Sequence, residues 1–190
     1  AFIHGTLDQG QTSECGPFMC RRWCGAVRTM NGRPGGDLPY DAHALYLTTG
    51  AHPGGGTTLE GVLAAALIMP IPWIDPSVTV WDVPNFAHLQ FALIKVRYAW
   101  VGINVDSNWD RIDEGGVLPR GGTPLKDAGH AVLAAGFEGD SCWVLTNWGQ
   151  FGKRFGDAWG WIKIHRETFD ANLIDCHVLF RNAGQGVVAL

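Results

Sequence analysis

Gln9, Cys15, His130 and Asn147 are the side chains whose types and order suit nucleophilic chemistry on a carbonyl. Cys15 sits where a loop gives way to a predicted helix. The unpaired N–H groups and partial positive charge of a helix N-terminus favour a thiolate there. Gln9 precedes Cys15 by six residues, in Asp8-Gln9-Gly10. A side-chain amide at that distance can aim an N–H where the Cys15 backbone N–H points, and two such donors make an oxyanion hole. His130 leads the apolar run Ala131-Val132-Leu133-Ala134-Ala135-Gly136-Phe137, and Asn147 ends the next apolar run. If those runs pair as a hairpin, His130 and Asn147 reach the same end. An Asn carbonyl can then hold the imidazole in one tautomer and orientation. Singly, each residue has a plainer reading: a buried thiol, a solvated loop amide, a satisfied structural histidine. Cys20 is the rival nucleophile, but it lies about one and a half turns inside the predicted helix and has no glutamine at the matching distance.

The elements that must hold these residues are read from periodicity and punctuation. Met19, Trp23, Ala26 and Met30 recur at helical spacing, which predicts a helix over about Gly16 to Met30. Pro17 is tolerated in its first turn, and Asn31-Gly32 ends it. Loop-rich sequence runs from Pro34-Gly35-Gly36 to Gly54-Gly55-Gly56, with a short helix expected within Leu38 to Thr48. Thr57 and Glu60 form a capping-box pattern before a helical stretch, Leu59 to Met69, which Pro70 and Pro72 stop. A further helix is predicted from Asn85 to about Lys95. Beyond it, Ala99 to Asp106, Gly129 to Phe137, Cys142 to Asn147, Trp159 to His165 and Val178 to Arg181 are short and rich in Val, Ile and Trp, and read as strands. The chain is therefore expected to be α+β with two lobes, a mainly helical one over 1–84 bearing Cys15 and a mainly β one over 85–190 bearing His130 and Asn147.

The composition narrows the classes. The chain has 190 residues, 46% hydrophobic and 17% charged, which suits a packed core rather than disorder. A net charge of −4 with no Lys/Arg block gives no reason to expect nucleic acid or an anionic membrane as partner. No apolar run approaches the roughly 18 residues a membrane span needs. The opening residues lack a basic-then-apolar signal pattern, so no compartment is assigned. Five cysteines, at 15, 20, 24, 142 and 176, are an odd number at irregular spacing, which argues against a full disulfide framework. Buried thiols are expected at Cys20, Cys24, Cys142 and Cys176, with a Cys142–Cys176 pair as the alternative. No pair of CxxC motifs suggests a metal site. Glycine (26) and tryptophan (9) are in excess, pointing to turns around aromatic anchors. Trp73, Trp81 and Trp109 are candidates for a partner surface or for packing under loops.

The chain resembles the papain-like cysteine peptidases. Asp8-Gln9-Gly10 through Cys15-Gly16-Pro17-Phe18 looks like the family's glutamine and nucleophile segment, with the usual spacing of six. Gly129-His130-Ala131-Val132, closed by Gly136-Phe137, is similar to its histidine segment. Asn147-Trp148-Gly149, followed by Trp159-Gly160-Trp161-Ile162-Lys163-Ile164, is similar to its asparagine segment and the strand after it. Gly54-Gly55-Gly56-Thr57 stands where the family has a glycine pair lining the cleft. The order matches over about residues 8–165. Departures point toward divergent bacterial or viral members. Plant and animal enzymes carry Cys-Gly-Ser-Cys-Trp around the nucleophile, whereas Cys15 is followed by Gly16-Pro17-Phe18 with no tryptophan, and the cysteine-to-histidine distance is 115 residues (130 − 15). The usual Asn-Ser-Trp-Gly is one residue short. Aligning on Trp-Gly puts Thr146 in the asparagine place, and Asn147 is preferred because it has a carbonyl to accept from the imidazole N–H.

The resemblance implies a papain-like two-lobe fold and hydrolysis of peptide or isopeptide bonds through an acyl-enzyme. A Cys15 thiolate paired with protonated His130 would attack, Asn147 would orient His130, and Gln9 with the Cys15 N–H would hold the oxyanion. Trp148 would shield the His130 site, Gly55 and Gly56 would offer backbone to an extended substrate, and Gly129, at the substrate site before the histidine, has no side chain to shape a pocket. No metal or cofactor is implied. The expected partner is a peptide or protein substrate. Cleavage of peptidoglycan stem peptides, and a binding role in a larger assembly with little turnover, stand as alternatives.

Overall fold

The computed structural model describes residues 7–32, 41–52, 54–69, 71, 74, 76–183 and 186–189. Its first helix, α1 (Cys15–Met30), buries Met19, Trp23 and Ala26 on the predicted stripe. Helix α2 (Ala42–Thr48) is the later part of the helix expected before Gly54. The remainder of that prediction, and Trp73, lie outside the described residues. Helix α3 (Leu59–Ile68) starts one residue later than the capping pattern implied. Thr58, not Thr57, is its N-cap, and its hydroxyl accepts from Gly61 N–H. Strand β1 (Val78–Asp82) precedes α4 (Phe86–Val96), which Asn85 caps by accepting from His88 N–H.

The rest is mostly strand: β2 (Ala99–Asp106), β3 (Pro124–Glu138), β4 (Ser141–Leu145), β5 (Lys153–Phe155), β6 (Ala158–His165), β7 (Leu173–Ala183) and β8 (Gly186–Ala189). A seven-residue helix, α5 (Arg166–Asn172), lies between β6 and β7. All ladder pairings are antiparallel. The sheet order is β1-β7-β2-β3-β4-β6-β5, with β8 added on β7.

Both faces of the central sheet are buried, and side chains alternate between two cores. Trp100, Ala131, Leu133, Leu145 and Trp161 pack with α1, α2 and α3. Their neighbours Val101, Val132, Ala134, Val144 and Ile162 pack with α4 and α5. This explains why the strands read as near-continuous apolar runs rather than as an alternating pattern. The fold is α+β, with the start of α1, the middle of β3 and the turn after β4 meeting at one place.

Candidate active site

A cavity of about 370 Å³ is lined by Gln9, Cys15, Gly54, Gly56, Asp127, Gly129, His130 and Trp148, together with residues 10–13. Three elements build it. Cys15 is the first residue of α1 and is half-buried. His130 comes from β3, whose pairing with β4 (Leu133 opposite Leu145, Ala134 opposite Val144) carries it toward residues 146–148. The N-terminal segment is tied to that same turn. Gln9 N–H donates to Asn147 O at 2.9 Å, Gly149 N–H donates to Leu7 O at 3.2 Å, and Asp8 forms an isolated antiparallel bridge with Trp148. Gln9 is thereby held in the cavity wall although it is remote in sequence from His130.

The environment of His130 is aromatic. Trp148 stacks on its ring at 4.1 Å between centroids, and Trp109 meets it edge-on at 6.1 Å. Trp109 and Trp148 also contact each other. Trp109 is 3% exposed, so it belongs to the wall behind the histidine, not to a partner surface. Trp81 remains partly exposed, against Phe91. Burial pushes the His130 pKa down to about 3. Burial also raises the Cys15 thiol, opposed by the N–H groups of Cys15 and Gly16 and by backbone Ala131. Both directions favour thiol and neutral imidazole at rest, not the thiolate–imidazolium pair expected from sequence. The helix N-terminus acts as anticipated, but desolvation outweighs it. The pull from Ala131 does place the Cys15 sulfur beside the residue that follows His130.

The largest difference from expectation concerns Asn147. The His130 ring is bonded through Nε2 to Thr146 Oγ1, at 2.8 Å. Asn147 is fully buried and faces α1 instead. Its Oδ1 accepts from Arg22 Nε at 3.2 Å, and its Nδ2 donates to Cys15 O at 3.5 Å. The reason is strand parity: Val144 and Thr146 follow the face that His130 and Val132 share, whereas Leu145 and Asn147 follow the face covered by α1. A threonine hydroxyl has lone pairs and can accept from an imidazole N–H as a carbonyl does.

The remaining residues divide. Gln9 Nε2 donates to Thr12 O at 2.8 Å, which fixes the side chain and leaves the amide's second N–H. Gly56 and Gly129 line the cavity, but Gly55 does not. Gly55 N–H donates to His52 O and its carbonyl accepts from Tyr46 Oη, so neither is offered to an extended substrate. Gly54 O accepts from Ser13 Oγ, tying this loop to the segment before the nucleophile. Cys20 is fully buried in α1. Cys142 and Cys176 are free thiols, not a disulfide. Sequence reasoning did not find Arg22, and it named Trp109 only as a partner-surface or loop-packing residue, not as a neighbour of His130. A lone arginine on a helix and an isolated tryptophan carry no spacing signal.

No family model and no curated protein matches the chain. Solved structures do. Digestive procathepsin L 3 from the larval midgut of Tenebrio molitor superposes with a TM-score of 0.68 at 14% identity, over 94% of this chain and 66% of its own. The Carica candamarcensis cysteine protease CMS1MS2, solved in complex with E-64, superposes with a TM-score of 0.69 at 16% identity, over 95% of this chain and 94% of its own. At such identity the likeness concerns the fold, and the chain is folded as the papain-like cysteine proteases are.

Proposed function

We propose that the protein is a cysteine peptidase that hydrolyses peptide or isopeptide bonds, with Cys15 as nucleophile, His130 as general base and acid, and Thr146 as the residue that orients His130. The observation that carries this reading is the single cavity shared by Cys15, His130, Gln9 and Trp148. Engagement of Nε2 by Thr146 leaves Nδ1 of His130 to take the Cys15 proton as sulfur adds to the carbonyl carbon. Charge on the buried ring is tolerated only with the new anion beside it, so proton transfer accompanies attack. The oxyanion is held by the Cys15 N–H and the free N–H of Gln9 Nε2. Collapse breaks the C–N bond, and the proton passes from His130 to the leaving amine. Water then attacks the thioester, gives a proton to His130, and releases the acid and the restored thiol. Asn147 serves as a positioning residue, bridging Arg22 to the Cys15 carbonyl. Trp148 excludes water from the His130–Thr146 bond.

Alkylation by iodoacetamide or E-64 with peptide mapping tests the nucleophile. Cys15 should be labelled, and Cys15→Ala should lose all hydrolysis. Label on Cys20 or Cys142 with Cys15 untouched would overturn the assignment. Digestion of casein and purified cell wall, side by side, separates protein cleavage from stem-peptide cleavage.

A further inference from the structure

A second cluster, sharing no lining residue with the Cys15 cavity, lies where α3 meets the sheet. It opens a cavity of about 400 Å³ lined by Glu60, Asp82, Asp175 and His177 among others. His177 is 8% exposed. Its Nδ1 lies 2.9 Å from Asp82 Oδ1, across the β1–β7 ladder in which Asp82 and His177 are opposite partners. The acceptor-only Asp82 carboxylate fixes a proton on Nδ1, which leaves Nε2, near Glu60 and Asp175, as the nitrogen where a cation would take the place of a proton. That Nε2 is buried and makes no hydrogen bond. It lies 3.3 Å from Glu60 Oε1 and 3.8 Å from Asp175 Oδ2. Donor atoms of Glu60, Asp175 and His177 all lie within 4.8 Å of one another. Ligands on a tetrahedral ion with bonds near 2.1 Å stand roughly 3.4 Å apart, so small rotations of two carboxylates suffice. The fold also makes room for this. Asp175 is paired opposite Gly102 on β2, and a Cβ at Gly102 would sit on the Asp175 carboxylate.

We propose that Glu60, Asp175 and His177 bind a divalent transition-metal cation, zinc by preference, with Asp82 as the carboxylate that orients the imidazole. One imidazole with two carboxylates suits zinc or manganese better than the all-oxygen preference of calcium or magnesium. A carboxylate behind the ligating histidine fixes its tautomer and raises its basicity. The cation would also offset the negative charge that three carboxylates bring together. Glu60 belongs to α3, Asp82 to β1, and Asp175 and His177 to β7, so the ion would clamp the helical face to the sheet.

The test is zinc titration of the full chain carrying Cys15→Ser, which keeps the nucleophile from offering a competing thiol. Calorimetry after chelator dialysis should give one saturable site. The melting temperature should rise by about 5–10 °C at a hundredfold excess over Kd. Glu60→Gln, at an exposed position that makes no core contact, should abolish both effects, as should His177→Gln. Asp82→Asn should weaken zinc roughly 10- to 100-fold. Absence of saturable binding, or a shift that survives Glu60→Gln, would overturn the proposal.

Discussion

Thr146 and Asn147 are neighbours in sequence, yet only one touches His130. Under the proposed mechanism, Thr146→Val should lower kcat with little change in KM. The loss should be smaller than the roughly 10²–10⁴ that a positioned general base itself supplies. Thr146→Ser, which keeps the hydroxyl, should retain most activity. Asn147→Ala should act first on stability, because it removes the acceptor of Arg22 Nε in a buried site. A cost of about 1–3 kcal/mol is expected, visible as a drop of several degrees in Tm. If Asn147→Ala alone abolished turnover at unchanged Tm, the roles would be reversed. The protonation of the site is open to the same kind of measurement. With the thiol pKa raised and that of His130 pushed down to about 3, thiol and neutral imidazole prevail through neutral pH. The iodoacetamide rate at Cys15 should therefore climb through the alkaline range as the thiol ionises. A plateau already reached near pH 5 would mean a preformed ion pair.

At the scale of elements, the turn after β4 does more than end a strand. Its residues 147–149 receive the segment 7–9, and that pairing holds Gln9 at the cavity. Gly149 has φ +60°, and a Cβ there would lie 2.7 Å from Asp8 Oδ2. Gly149→Ala should cost about 1–2 kcal/mol for the left-handed conformation and should push the Asp8–Gln9 segment away. Loss of kcat beyond the loss of Tm, measured on the folded fraction, would report displacement of Gln9. An unchanged kcat would mean that Gln9 is not held this way. The hairpin that joins His130 to this turn was legible in sequence as two apolar runs. Helices α1, α3 and α4 were legible as well, because each is long and has either an apolar stripe or a side-chain cap. The helix α5 and strands β1, β5 and β8 were not. Three to seven residues with no clear period leave nothing to count.

Across the whole molecule, the two cores decide which cysteine can react. Cys20 and Cys24 lie in the core between α1–α3 and the sheet, and Cys142 and Cys176 in the core under α4 and α5. Burial pushes Cys142 up to about 12 and Cys176 higher still. The native protein should show one alkylatable thiol, at Cys15, and five after unfolding in guanidinium. Three thiols in the unfolded, unreduced chain would mean that Cys142 and Cys176 had paired after all.

Local pattern was enough to determine the α+β class, the start of the nucleophile helix and the candidate set of Gln9, Cys15 and His130. These depend on residue type, spacing and helix-end geometry, all encoded within a few residues. Tertiary structure alone decided which neighbour faces His130. That choice turns on which side of a twice-buried sheet β4 and the two residues continuing it occupy, and apolar runs covered on both faces hide their parity. It also decided that Gly55 is spent on Tyr46 and His52, that Trp109 backs the histidine, and that Glu60, Asp175 and His177 converge. Each of these joins segments far apart in the chain, where no local spacing records the contact.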